Sequence, residues 1–184
     1  RDHVGNLQYV TSPENPNKVS IYGAGYRIPL YAQNASIDVF GGYSDVSSGT
    51  LQGLFNVSGS GTILGAKYNW HLPKAGEYEH RLSAGLDYRA FKNNVTLIGT
   101  GAGLVPDITI HPFSLTYNGL LRMSNSEVGF NVSYARNFFH GGNDGADSDF
   151  KRSRADATAD YRIWRVGANF TRAFAQDWQF RTVF

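Results

Sequence analysis

Cysteine is absent from the 184 residues, methionine occurs once and proline only 6 times. Without cysteine there is no disulfide framework and no thiolate metal site. No apolar run reaches the roughly 18 residues that a membrane-spanning helix needs. Mean hydropathy is −0.34 with 41% hydrophobic residues, which excludes a helical membrane protein. It does not exclude a membrane β-barrel, whose strands are only half apolar. Charge of one sign is also lacking: Lys+Arg 17 against Asp+Glu 15 gives a net +2. The basic residues are scattered, so nothing points to nucleic acid. No signal peptide precedes Arg1-Asp2-His3, so the chain reads as a mature or trimmed piece of one domain. What is abundant is 11 Tyr, 12 Phe and 21 Gly, a composition that favours an all-β chain.

The clearest stretch is a hairpin from Thr62 to Lys92. In its second arm Tyr78, His80, Leu82, Ala84, Leu86, Tyr88 and Ala90 alternate with Glu79, Arg81, Ser83, Gly85, Asp87 and Arg89. A period of two is a strand, with one greasy face and one charged face. In the first arm Thr62, Leu64, Ala66, Tyr68, Trp70 and Leu72 oppose Gly61, Gly65, Lys67, Asn69 and His71. Pro73-Lys74-Ala75-Gly76 supplies the turn. Each arm exceeds the roughly 9–11 residues with which a tilted strand crosses a bilayer.

The same alternation predicts strands at 2–11, 19–30, 36–46, 54–72, 108–122, 127–138 and 155–174, and the start of a ninth at 178–184. The apolar parity changes near Gly59-Ser60-Gly61 and again near Arg162–Arg165, as a bulge would cause. Connections near 11–18, 44–53, 93–107 and 139–153 are long, and those near 31–35, 73–77, 123–126 and 175–177 are short. Long loops at one rim and short turns at the other mark outer-membrane barrels. The expected fold is therefore an all-β antiparallel transmembrane β-barrel, of which residues 1–184 supply about nine consecutive strands. An odd count, and a last strand too short to cross, imply that partner strands lie outside this sequence.

Parity then sorts the candidate site residues. Arg27, Lys67, Asn69, Glu79, Arg81, Asp87, Arg89, Asn118, Asn131 and Arg165 fall on the polar side and are expected to line the lumen. A charge facing lipid at mid-depth costs about 2–4 kcal/mol. These charges either keep the channel wet or pair across strands to hold the wall together. Tyr22, Tyr26, Tyr68, Trp70, Tyr78, Tyr88, Phe113, Tyr117, Phe130, Tyr134, Trp164, Phe170 and Trp178 fall on the other side and are expected to face lipid. Gly59–Gly65 and Gly99–Gly103 superficially look like phosphate loops but lack the strand-to-helix context. Gly141–Asp149 has calcium-loop composition without fixed ligand spacing and reads as a solvated outer loop. His3, His71, His80, His111 and His140 share no metal spacing. The Asn-X-Ser/Thr triplets at Asn34, Asn56, Asn94, Asn131 and Asn169 read as strand and turn sequence rather than glycan sites. No nucleophile elbow or other catalytic constellation is visible, and no cofactor or metal is expected.

The stretches YVTSPENPNKVSIYGAGYRIPLY, DVFGGYSDVSSGT, NVSGSGTILGAKYNWHLPKAGEYEHRLSAGLDYRAF, PDITIHPFSLTYNG and NFFHGGNDGADSDF follow one another in the chain. Together they resemble the barrel of two-partner-secretion transporters (TpsB), the haemolysin-activator and filamentous-haemagglutinin-secretion type. The resemblance implies a 16-stranded barrel of the Omp85 superfamily in the Gram-negative outer membrane, surrounded by outer-membrane lipid. It implies export of a large β-helical adhesin or cytolysin, the TpsA-type exoprotein, without ATP. In that frame this sequence is about the second through tenth strands, short turns periplasmic and long loops outside. The POTRA modules and plug helix would precede Arg1, and the inward loop with its VRGY-type tip would follow Phe184. Two other readings stay open from the residues alone: a passive porin or receptor barrel, and a soluble β-barrel binding module. Extraction decides the last of these. Both membrane readings expect the protein in the detergent-soluble membrane fraction, and a chain soluble without detergent sinks both.

Overall fold

In the computed structural model, residues 2–51, 55–100, 103–139, 143–174 and 177–184 are described. The chain folds as one antiparallel sheet. Its strands are β1 (Val4–Thr11), β2 (Val19–Leu30), β3 (Ala35–Leu51), β4 (Phe55–His71), β5 (Tyr78–Leu97), β6 (Ile108–Ile110), β7 (Pro112–Met123), β8 (Ser126–Asn137), β9 (Arg162–Phe174) and β10 (Trp178–Val183). Each strand pairs with its neighbour in sequence, except that β5 pairs with both β6 and β7 and β6 lies off the main path. The sheet is open, with β1 and β10 at its two edges.

Strand length sets this sheet apart. β3 and β4 have 17 residues each and β5 has 20, where soluble strands usually have about 5–6. No second sheet packs against either face among the described residues. The buried apolar residues are Ala35, Ala90 and Ala159, while Leu7, Trp164, Val166 and Trp178 are more than two-thirds exposed. The accessible surface is 12656 Å², whereas a compact monomer of 20.3 kDa exposes about 8,800 Å². The excess is the surface of a single sheet whose apolar side chains have no protein to pack against.

The short turns hold the register. Tyr31–Gln33 forms a 3-10 turn closed by Asn34 in the left-handed region at φ 50°. Asn34 Nδ2 donates to the His71 carbonyl at 2.6 Å, and the His71 amide donates to the Asn34 carbonyl at 2.9 Å. The turn is thereby stitched to the end of β4. The Asp2 carboxylate accepts the Tyr31 hydroxyl at 2.5 Å and holds that hydroxyl above its usual pKa. Gly76 at φ +62° closes the β4–β5 turn in a conformation that costs glycine nothing.

Several sequence expectations need correction. Residues 44–51 are strand rather than loop, because β3 and β4 stay paired as far as Leu51 and Phe55. The bulge is in β3, between Ser47 and Gly49, where Gly49 takes φ +78°. Through Gly59–Gly61 the β4–β5 register is unbroken. The apolar parity shifts there because the hairpin runs on past the apolar band, where neither face has to stay greasy. Likewise β5 continues to Leu97, and the following segment folds back with the Leu104 amide on the Val95 carbonyl at 2.8 Å. The expected strand at 108–122 is interrupted at His111, giving β6 and β7. The strand expected from Ala155 begins at Arg162, so its parity change is a strand start. A short helix, α1 (Asp147–Ser153), occupies part of the expected outer loop. The expectations at Arg1, Leu54, His140 and Ala175–Gln176, and parts of Gly99–Gly103 and Gly141–Asp149, lie outside the described residues.

Glycines on the sheet let large side chains lie flat across it. A Cβ on Gly119 would stand 2.5 Å from Phe130 Cε1 and 2.6 Å from the Tyr78 hydroxyl. Gly119→Ala is therefore expected to lower stability by about 1–3 kcal/mol through overpacking, read as an earlier urea midpoint of the detergent-folded protein. Adding Phe130→Leu should restore part of the loss. An unchanged midpoint would show that the ring moves aside freely.

Candidate functional site

The register carries one residue of each strand across the sheet in rows. One row runs Arg27, Asp38, Lys67, Gly85 and Ser114. The next runs Ser36, Asn69, Ser83, Thr116, Ser133 and Arg165. A third runs His71, Arg81, Asn118, Asn131 and Gly167. Glu79, Asp87 and Arg89 share the parity of Arg81 in β5. All of these project from one face, because side chains alternate with period two. The opposite rows hold Tyr22, Tyr26, Tyr68, Trp70, Tyr78, Tyr88, Phe113, Tyr117, Phe130, Tyr134, Trp164, Phe170 and Trp178.

The polar face is a connected network. Arg27 grips Asp38 with Nε at 2.6 Å and Nη2 at 2.9 Å. Asn69 Nδ2 donates at 2.9 Å to Asp38 Oδ2, the oxygen that also accepts from Arg27 Nη2. Asn69 Oδ1 accepts the Ser83 hydroxyl at 2.8 Å. Four neighbouring strands, β2 to β5, are thus cross-linked through side chains. Nearer the short turns, Glu79 accepts from Lys74 at 2.5 Å and from Arg122 at 2.9 Å, and Arg122 also reaches Glu127 at 3.4 Å. Arg89 Nη2 bonds Asp87 at 2.6 Å, with the Asp87 side chain only 9% exposed. The second carboxylate oxygen of Asp87 and Nε of Arg89 are buried with no hydrogen-bond partner. The Phe40 ring lies over Gly65 beside that carboxylate and shields it. Tyr161, just before β9, also belongs here. Burial pushes its hydroxyl above the usual pKa, the Arg89 and Arg165 guanidinium groups oppose that shift, and Asp87 adds to it.

Asp38, Ser36, Ser83, Phe40 and Tyr161 were not singled out from sequence. Asp38 had a legible signal, a charge between Ile37 and Val39 on the polar parity of its strand. Phe40 and Tyr161 had none, since an aromatic on the polar parity violates the sorting rule.

Near the β4–β5 turn the apolar face carries a polar cluster. His80 Nε2 lies 3.1 Å from the Pro73 carbonyl, which can only accept, so Nε2 carries the proton. His80 Nδ1 then accepts from the Tyr117 hydroxyl at 2.8 Å, and Tyr117 accepts from Tyr78 at 2.7 Å. An apolar rim with polar tips tied together suits a boundary between oil and water.

No family model and no curated protein matches the chain. Among solved structures it is similar to CdiB from Escherichia coli, with a TM-score of 0.68 and 19% identity. The match covers 90% of this chain and 30% of that chain. At that identity what the two share is the fold. This chain folds as one antiparallel portion of such a barrel, spanning under a third of the matched protein.

The network ranks its own members. Arg27 is 59% exposed, and an exposed ion pair contributes about 0.2–1 kcal/mol. Asn69 is 5% exposed, and stranding its buried partners costs about 1–3 kcal/mol. Asn69→Ala should therefore destabilise more than Arg27→Ala in denaturant unfolding, and the reverse order would show that charge rather than the buried amide ties these strands.

Proposed function

We propose that this chain is part of the pore wall of an outer-membrane transporter that exports a large β-helical adhesin or cytolysin without ATP, by two-partner secretion. The observation that carries the proposal is the pairing of two features in one sheet. Its faces are sorted into a hydrogen-bonded polar side and an uncovered apolar side, and its path follows part of CdiB, a two-partner-secretion transporter. The order and spacing of the quoted sequence stretches support the same reading.

In this reading the apolar face meets outer-membrane lipid, and the polar face borders water. Uncovered apolar residues such as Trp164 and Val166 cost free energy in water and none in hydrocarbon. Lumen-facing Arg27, Lys67, Glu79, Arg81, Arg89 and Arg165 stay hydrated, with Asp87 held beneath Arg89, and they give an extended client few apolar footholds. The short turns face the periplasm and the long connections the outside. Transport is passive: the wall supplies a wet path, and folding of the secreted exoprotein outside draws it through. The reading contains no catalytic step, no cofactor and no nucleic-acid partner.

Charge selectivity tests it in the full-length protein. Arg89 is a poor probe, since removing it strands the nearly buried Asp87 carboxylate. Arg81→Ala combined with Arg165→Ala removes two positive charges from the polar face. Expected outcomes are normal barrel assembly, weaker anion preference in bilayer recordings and reduced export of the partner. Unchanged ion selectivity would mean that this face does not border the conducting path. Altered selectivity with no exported partner would favour a porin for small solutes.

A further inference from the structure

We propose that residues 143–161, between β8 and β9, fold inward as a constriction of the polar channel, pinned by Asn137 and seated through Tyr161. The proposal rests on the reading of the polar face as a lumen and adds a gate to it.

The segment is fastened to the wall at several points. Asn137 is fully buried. Its Oδ1 accepts the His111 amide at 2.7 Å, and its Nδ2 donates to the Ala159 carbonyl at 2.9 Å. The break between β6 and β7 falls at His111, and the Asn137 side chain supplies the acceptor that the interrupted ladder cannot. The Asn137 amide donates to the Tyr161 carbonyl at 3.3 Å, and the Thr109 amide to the Asp144 carbonyl at 2.7 Å. The segment also has an interior of its own. Ala159 is 1% exposed and Asp149 is 8% exposed. The Asp147 carboxylate accepts the Ala159 amide at 2.7 Å and the Thr158 hydroxyl at 3.2 Å, tying α1 to the returning chain.

Its direction follows from parity. Asn137 shares the polar face of β8 with Asn131 and Ser133, and Tyr161 lies across from Asn137, so both project the same way. The preceding residue, Asp160, turns to the other side and clips Arg136 at 2.9 and 3.2 Å. The charged groups that act on the Tyr161 phenol are Arg89 and Asp87 of β5 and Arg165 of β9. β5 and β9 are separated by β7 and β8, three spacings or about 14 Å along the sheet. Asn137 projects from the polar face and its Nδ2 holds the Ala159 carbonyl, so the returning chain lies on the polar side of the wall, the side from which Arg89 and Asp87 of β5 also project. Opening this mouth requires the Asn137 bonds to let go and Tyr161 to swing off the polar face.

The full-length protein in planar bilayers decides it. Tyr161→Ala and Asn137→Ala should each raise the unit conductance, with barrel assembly unchanged by heat-modifiable migration. These 184 residues lack cysteine; with every cysteine elsewhere in the full-length protein replaced by serine, Tyr161→Cys is the target for an anionic methanethiosulfonate reagent, and its modification should lower the current. Conducting channels indifferent to both Ala substitutions and to that modification would overturn the constriction and leave the pore reading standing. Absence of any channel in the unaltered protein would overturn both. If an Ala variant fails to assemble, the thiol experiment alone decides: a lowered current supports the constriction and an unchanged current overturns it.

Discussion

Every backbone donor and acceptor in a long single-layer sheet has to find its partner on the adjacent strand. That requirement makes register the quantity on which the rest of the molecule depends. A slip of one residue would exchange the two faces of a strand. It would bring Arg81 and Asp87 out among the aromatics and turn Leu82 and Leu86 onto the polar side. The ladder from β2 to β5 shows one register shift, at Ser47/Gly49, outside the rows that carry the charged network. Closely spaced turns, such as the Asn34 turn with its reciprocal bonds to His71, keep that register.

Given the register, the two faces solve different problems. The polar face has to hold strands together where water competes for every hydrogen bond. It does so with amides and hydroxyls sheltered between strands, as at Asn69 and Ser83, and leaves exposed pairs such as Arg27–Asp38 at the margin. Amide side chains also lie across glycines of the next strand, Asn6 over Gly25, Asn131 over Gly167 and Asn169 over Gly129. The apolar face uses the same device with rings, Phe130 over Gly119 and Tyr26 over Gly5. Glycine in these strands is thus a socket for a neighbour's side chain, which offsets its low strand propensity.

Legibility from sequence followed how strictly a local rule applied. Between the short turns and the middle of each strand, period two holds apart from exceptions such as Phe40, and the register places the named candidates in two opposed sets of rows. Towards the long connections the rule relaxes. The shift at Gly59–Gly61 looked like a bulge and is an unbroken ladder. The true bulge at Gly49 lay in what looked like a loop. Asn137 gave no signal at all, since an asparagine at a strand end is ordinary until the chain that returns to bury it is seen.

The sequence by itself determined the alternation, the turn positions and therefore which residues share a side. These depend on neighbours two residues apart and on glycine, proline and asparagine at the turns. Only the tertiary structure decided which side chains meet across strands, that Asp38 and not a solvent ion answers Arg27, and that Asn137 ties His111 to Ala159. Those contacts join residues far apart in the chain, and their geometry comes from register and curvature summed over many strands, which no local pattern encodes.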